Sequence, residues 1–315
     1  MNNKKVAVCS RSFSRNKVLR EKLSERYPLS TFNDEGVKLQ GDSLVAFLKG
    51  HEKAIIALEN IDETILKQLP ELEVISKYGV GLDMIDMSAM HSHYKLLGWS
   101  GGVNRRSVSE LVISFAIALL RHVPSSYREV LSGTWRQHDG SYLSGKTVGI
   151  IGCGAIGQDL SVLLKAFDCQ IIVNDIQDYS EFYELNHIKP VGLDQLLKSA
   201  DIVTLHTPLD DSTRNILNRQ KLELMKPSAI LINAARGGLV DEVALRNMLQ
   251  DNRIAAAAFD VFAVEPPEDK ELLELPNFLV TPHIGGSAKE AILAMGMAAI
   301  EGLDNAKDPL VFVRN

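Results

Sequence analysis

Between residues 147 and 175 the chain carries a pattern that few folds can accept. Thr147-Val-Gly-Ile-Ile151 is short and nearly all apolar, and Gly152-Cys-Gly-Ala-Ile-Gly157 follows at once. The spacing predicts a buried strand that turns through a G-x-G-x-x-G loop directly into a helix. Gly152 permits the tight turn, Gly154 lets backbone N–H groups approach a pyrophosphate, and Gly157 lets the new helix lie close on its strand. Ala155 and Ile156 open that helix, whose N-terminus offers unpaired donors and a partial positive charge. Alone, such a loop is a common glycine turn. Its surroundings narrow it.

Upstream, an apolar strand is what a sheet covered by helices on both faces demands. Downstream, Leu160, Leu163, Leu164 and Phe167 recur at i, i+3, i+4 and i+7, the stripe of a helix resting on a sheet. A second apolar run, Gln170-Ile-Ile-Val-Asn174, ends in Asp175, eighteen positions after Gly157. A carboxylate there can accept both ribose hydroxyls of an adenosine and would repel a 2′-phosphate. Ile176-Gln-Asp-Tyr179 supplies no arginine to offset that repulsion, so the expected cofactor is NAD. The plainer alternative, a solvated turn acid, stays open at this point.

The chain has 315 residues, 45% of them apolar and 23% charged, the balance of an ordinary globular protein with room for two cored domains. A net charge of −6 without a long basic run predicts neither nucleic acid nor an anionic membrane as partner. No apolar signal-like core follows Met1, and the densest apolar stretch, Leu111 to Leu120, is too short to span a bilayer. Cys9, Cys153 and Cys169 lack metal or redox spacing, so no metal site is expected and reduced thiols in a cytoplasm are.

The first hundred residues alternate candidate strands (Val6–Cys9, Ala54–Leu58, Val74–Lys77, Lys95–Trp99) with helical segments, including Asn16–Arg26 and Asp62–Leu69. That rhythm predicts α/β with a parallel sheet. Ser107–Arg121 reads as a helix apolar nearly all round, which implies burial between domains or against a second subunit. After a Ser/Gly-rich link at 140–145, strands continue at Asp201–Leu205, Ala229–Asn233, Ala255–Phe259 and Phe278–Val280. With the two strands flanking the glycine loop they predict a six-stranded doubly wound sheet. In such a sheet ligands bind outside the carboxyl ends of the strands. There the polar residues collect, at His206-Thr-Pro208, Asn233-Ala-Ala-Arg236, Asp260 with Glu265, and Thr281-Pro-His283-Ile-Gly-Gly286.

An arginine, a glutamate and a histidine beside a nicotinamide site have a coherent chemistry. Removing hydride from a secondary alcohol needs a base for the hydroxyl proton, and imidazole has a suitable pKa. A carboxylate on its other ring nitrogen fixes the tautomer and stabilises the imidazolium. The fork of an arginine suits a substrate carboxylate and polarises an adjacent carbonyl. Those parts suit a 2-hydroxy or 2-keto acid.

The chain resembles the D-isomer-specific 2-hydroxyacid dehydrogenase family from about Val6 to Ala306, and within it the phosphoglycerate dehydrogenases. The resemblance is carried by Val148–Gly157, Asn233-Ala-Ala-Arg-Gly237, Phe259-Asp-Val-Phe-Ala-Val-Glu-Pro266 and Thr281–Gly286. It implies two Rossmann-like or flavodoxin-like α/β domains with parallel sheets and a cleft between them. The substrate-binding domain would comprise residues 1–100 plus 286–315, with the helix Ser287–Asn305 crossing back, and the NAD-binding Rossmann domain residues 101–285. It implies Arg236 as the carboxylate ligand, Glu265 as the residue orienting the histidine, and His283 as the acid/base. Asp260 would face the nicotinamide amide, and His206, Thr207 and Pro208 the adenine–ribose side. Ala234, Gly285 and Gly286 complete the cofactor contacts. The segment Lys77-Tyr78-Gly79-Val80 opens the family's substrate loop, whose backbone N–H groups hold the carboxylate. The Ser107–Arg121 helix would belong to the region that forms a homodimer.

Departures from the family pattern are Asp83-Met-Ile-Asp86 where an Asp-Asn-Ile-Asp is usual and Ser100-Gly-Gly-Val-Asn104 where a Pro-Gly is usual. With the chain ending at Asn315, a short form without a regulatory domain is expected. Lys77, Arg105 and Arg106, with Arg136 after Trp135, are the cations expected near a substrate phosphate, which favours 3-phosphoglycerate and its oxidation to 3-phosphohydroxypyruvate in serine biosynthesis; a solvated Arg105-Arg106 surface stays open as the plainer reading. Glyoxylate, hydroxypyruvate or another 2-keto acid stays open as the substrate. An NAD(H)-sensing, corepressor-like binding protein stays open as another class. His283 and Arg236 also admit plainer readings, as a loop histidine with satisfied bonds and a capping arginine.

Overall fold

The structure, a computed structural model, describes residues 3–313. The chain divides into two compact units, one formed by Met1–Asn104 with Ala288–Asn315 and the other by Arg105–Ser287.

The first unit is built on five parallel strands: β1 (Val6–Val8), β2 (Ser30–Phe32), β3 (Lys53–Ile56), β4 (Val74–Lys77) and β5 (Leu96–Gly98), ordered β2-β1-β3-β4-β5. Every residue of β1, β3 and β4 is buried, as strands between helical layers are, and the polar members Lys53, Ser76 and Lys77 donate to backbone carbonyls. The helix Lys17–Arg26 starts at Asn16, whose side chain accepts from the Leu19 amide, and buries Leu19 and Leu23. The helix Lys289–Gly302 returns to this unit, where Ser76 Oγ donates to the Ala299 carbonyl at 2.7 Å. The edge strand β2 went unrecognised in the sequence because Ser-Thr-Phe is too short and too polar to alternate visibly.

The second unit holds β6 (Thr147–Ile151), β7 (Gln170–Asn174), β8 (Lys189–Pro190), β9 (Ile202–Leu205), β10 (Ile230–Asn233), β11 (Ala256–Phe259) and β12 (Phe278–Val280). All are parallel, in the order β12-β11-β10-β9-β6-β7-β8. The sheet therefore has seven strands, not the expected six. The extra one, β8, is two exposed residues at an edge, where a proline costs no ladder hydrogen bond.

The helix Arg105–Leu120 is less uniform than its composition suggests. Val108, Val112, Phe115, Ala116 and Leu119 pack into the core of their own unit with Ile150 and Ile232, while Ile117 is exposed. Its inward stripe thus needs neither another domain nor another subunit to bury it. The next helix, Val123–Leu131, buries no residue. Among the described residues no single helix is long and apolar enough to cross a membrane.

Candidate cofactor-binding and catalytic site

The glycine loop behaves as its spacing demands. Gly152 adopts φ 93°, and a Cβ on Gly157 would lie 2.3 Å from the Gly152 carbonyl oxygen, so helix and loop meet backbone to backbone. The first hydrogen bond of the helix runs from the Gln158 amide to the Gly154 carbonyl at 2.9 Å. The amides of Gly154, Ala155 and Ile156 donate to nothing among the described residues. A Cβ on Gly154 would meet no atom within 4 Å. Orphan donors around open space at a helix start are what a pyrophosphate requires.

Asp175 stands just past β7. One carboxylate oxygen accepts from the Cys153 amide at 2.5 Å and the other from the Gln177 amide at 2.8 Å, which leaves lone pairs on both. A cavity of about 220 Å³ opens beside it, lined by Asp175, Ile176, Asp178, Tyr183 and Val191 among others. His206 follows β9, its Nε2 3.0 Å from Thr204 Oγ1 and its Nδ1 buried without a partner. Burial pulls its pKa down to about 3, so the ring is neutral at ordinary pH. Thr207 is half-buried, Pro208 exposed and Ala234 buried. These residues fit an NAD molecule, with Asp175 for the ribose and the loop amides for the phosphates. Burial also drives the Cys153 thiol up to about 12, so it is no thiolate nucleophile.

At the carboxyl ends of β10, β11 and β12 the catalytic candidates are held mainly by hydrogen bonds to backbone. Fully buried Asn233 donates from Nδ2 to the Arg236 carbonyl at 2.9 Å and accepts the Ala235 amide at 3.1 Å, clamping the loop that carries Arg236. A Cβ on Gly237 would fall 1.9 Å from the Phe262 carbonyl, so only glycine lets the β10 and β11 loops touch. The Arg236 guanidinium donates to the Ala235 carbonyl at 2.7 Å.

His283 Nδ1 lies 2.9 Å from Glu265 Oε2 and 3.2 Å from Oε1. Glu265 in turn accepts the Phe262 amide at 3.1 Å. His283 sits at φ 55°, a costly conformation for a non-glycine residue, and its N–H donates to the Asp260 carbonyl at 2.9 Å. Asp260 is almost wholly buried. Its carboxylate accepts from Thr281 Oγ1 at 2.5 Å and from the amides of Ile284 and Gly285 at 2.7 Å each. Gly285 also accepts from Ser107 Oγ at 2.6 Å, and Gly286 beside it is half-buried. The structure thus commits three of the acceptor sites of Asp260 to the histidine loop. From the sequence, Asn233 and Thr281 are legible only as polar motif members at strand ends and Ser107 only as a helix start, none of them as a clamp. A polar residue closing an apolar strand, as Asn233 closes β10, was the available signal.

In the five-stranded unit, Lys77 ends β4 and is buried, its ammonium donating to the Ala57 carbonyl. Tyr78 is buried edge-on against Phe13 at 5.4 Å. Beyond it the amides of Gly79, Val80 and Gly81 donate to nothing among the described residues, while Trp99 Nε1 pins the Val80 carbonyl at 2.9 Å. The expectation for Arg106 is corrected. Its Nε and Nη2 bind both carboxylate oxygens of Asp159 at 2.9 Å, and that pairing holds the Asp159 carboxyl below its usual range.

A parallel sheet with an open glycine loop, an acid just past its second strand and a histidine–glutamate pair along one edge has the architecture of a dinucleotide-binding domain. The chain belongs to the D-isomer specific 2-hydroxyacid dehydrogenase family, whose NAD-binding domain matches residues 113–285. A D-3-phosphoglycerate dehydrogenase from Methanocaldococcus jannaschii is 38% identical over 76% of this chain and 47% of its own length. The chain therefore spans about half the length of the first curated relatives it matches. A hydroxypyruvate reductase from Thermotoga maritima is 35% identical over 84% of this chain and 87% of its own. Among solved structures, a pyruvate reductase of Chlamydomonas reinhardtii superposes with a TM-score of 0.79 at 26% identity, over 96% of both chains.

Proposed function

We propose that this protein is an NAD-dependent oxidoreductase acting on the CH–OH group of a D-2-hydroxy acid, with 3-phosphoglycerate, oxidised to 3-phosphohydroxypyruvate, as the preferred substrate. The observation that carries the reading is the His283–Glu265 pair at the carboxyl edge of an NAD-binding sheet, on the loop next to that of Arg236. Bound NAD supplies the hydride acceptor for C2 of the hydroxy acid. His283 Nε2 takes the hydroxyl proton, and Glu265 on Nδ1 holds the tautomer that leaves Nε2 able to accept it. Arg236 binds the carboxylate and stabilises negative charge on the C2 oxygen. Asp260 positions the histidine loop through its three accepted bonds. In the other unit, the Gly79–Gly81 amides and Lys77, Tyr78 and Val80 serve the substrate.

The cofactor contacts in this reading are Gly152, Gly154, Ala155, Ile156, Gly157, Asp175, His206, Thr207, Pro208, Ala234, Asp260, Gly285 and Gly286. Exposed Val123, Tyr127, Val130, Leu131 and Trp135 support a homodimer through the surface around the helix Val123–Leu131, in a cytoplasmic enzyme.

The Thermotoga relative, matched over most of its length, supports hydroxypyruvate as the competing substrate. NADH oxidation measured against phosphohydroxypyruvate, hydroxypyruvate, glyoxylate and pyruvate separates the two. The highest kcat/KM is expected for phosphohydroxypyruvate. No turnover of any of them despite tight NADH binding would overturn the enzyme reading in favour of an NAD(H) sensor.

A further inference from the structure

A loop that holds an anion through its backbone has to keep its peptide groups turned one way. In the five-stranded unit the loop after β4, Gly79-Val-Gly-Leu82, has little to keep it so. Gly79 takes φ 122°, a region that few side chains tolerate, and Gly81 follows two residues on. A peptide between such residues turns over at small cost, because a glycine has no Cβ to obstruct it. From the Gly79 amide to the Leu82 amide, the backbone makes one hydrogen bond among the described residues, and its donor is a side chain. Trp99 Nε1 donates to the Val80 carbonyl at 2.9 Å. The Val80–Gly81 peptide is trans and planar, so its carbonyl and its N–H point in opposite directions. Pinning the carbonyl therefore also aims the Gly81 amide, away from the indole.

The indole is itself held. Trp99 directly follows β5 and is half-buried, packed on the apolar cluster that includes Ile85 and Leu97. Phe312 meets its ring edge-on, with centroids 5.3 Å apart. A Cβ on Gly101 would fall 2.9 Å from the ring, so the chain passes close against it. Phe312 ends the short turn Pro309–Phe312, and that turn is fastened just before it starts. Lys307 and Leu97 exchange backbone hydrogen bonds at 2.8 and 3.0 Å, and Asp308 Oδ2 lies 2.8 Å from His91 Nδ1. An unbroken line of contacts thus runs from the turn at 309–312 through Trp99 to the Val80 carbonyl, all inside one unit.

We infer that Trp99 is a positioning residue of the substrate loop. Its indole N–H fixes the Val80–Gly81 peptide so that the Gly81 amide stays a free donor for the carboxylate of the acid, and Phe312 keeps the indole in place. The inference rests on the proposed reading, in which the Gly79–Gly81 amides serve the substrate, and deepens it by naming what sets their orientation. A peptide turned over would present a carbonyl oxygen in place of the Gly81 N–H, and its partial negative charge would repel a carboxylate. The indole bond therefore acts on affinity for the acid, not on proton or hydride transfer.

The test compares the wild type with Trp99→Phe, which keeps an aromatic ring and removes the N–H, and with Phe312→Ala. NADH oxidation is followed with phosphohydroxypyruvate and hydroxypyruvate. For Trp99→Phe the KM of the keto acid should rise about three- to tenfold, the scale of one hydrogen bond, with kcat and the KM of NADH within about twofold. Phe312→Ala should move the same constant in the same direction by less. A lowered Tm with unchanged kinetic constants, or a fall in kcat alone, would make Trp99 a packing residue and overturn the inference, leaving the dehydrogenase reading standing. If Trp99→Phe does not fold, or if the wild type turns over neither acid and that reading fails by itself, a spectroscopic measurement decides. The chain has two tryptophans, and Trp135 is 86% exposed. Protein carrying fluorotryptophan then gives two fluorine resonances, and the one that Trp135→Phe leaves belongs to Trp99. Its shift on saturation with D-3-phosphoglycerate or D-glycerate supports the inference, and a resonance that neither acid moves overturns it.

Discussion

The two parallel sheets of this protein use their carboxyl edges in opposite ways. In the seven-stranded unit the edge is crowded with side chains that are already bonded. Asp260 holds three donors, Asn233 clamps the Arg236 loop, and Glu265 holds His283. In the five-stranded unit the edge offers the amides of Gly79, Val80 and Gly81, none with a partner among the described residues. Proton transfer needs a base held in one tautomer and one place, so its support is built into the fold. Holding an anion needs donors left over after folding. In the proposed reading, the difference separates a chemical edge from a binding edge.

The strongest blow to that comparison would come from His283→Ala. Its turnover number should fall about a hundredfold or more, with NADH binding retained in a fluorescence titration. A variant that raised KM alone would make His283 a binding group and erase the distinction.

A smaller effect is expected at Asp175. Asp175→Ala removes the ribose acceptor and the repulsion of a 2′-phosphate, so the preference for NADH over NADPH should drop about tenfold in kcat/KM ratio. An unchanged ratio would show that discrimination lies elsewhere around the cavity beside β7.

The smallest effect concerns acid stability. Folding keeps His206 neutral to about pH 3, whereas an unfolded histidine takes up its proton near pH 6.5. Between those values the unfolded chain binds more protons, so this residue makes stability fall as the pH drops from 6.5 toward 3. His206→Gln should show a shallower fall in its urea midpoint between pH 7 and pH 5. Parallel curves for the two proteins would mean that His206 is protonated in the fold.

Much of the seven-stranded unit was legible beforehand because its signals are local. Glycines at 152, 154 and 157 act on their own turn, and apolar runs such as Ile202–Leu205 declare buried strands. β8 was not legible, because two residues have no period and pair only where β7 presents an edge. The positions of His283 and Glu265 were readable as motif members. Their support by Asp260 and Phe262 was not, since it depends on loops from different strands meeting.

Charges divide most sharply between sequence and structure. The residues themselves determined that the chain would fold as parallel α/β, that a glycine loop would open a helix with unpartnered amides, and that imidazole, carboxylate and guanidinium would stand at strand ends. Patterning fixes such things within a few residues. Only tertiary structure decided where each cation is bonded. Arg106 meets Asp159 across 53 positions and Lys77 bends onto Ala57, 20 positions away, while Arg11 is left in water. A charge is drawn to whatever opposite charge or carbonyl the fold brings near it, and sequence distance carries no information about that.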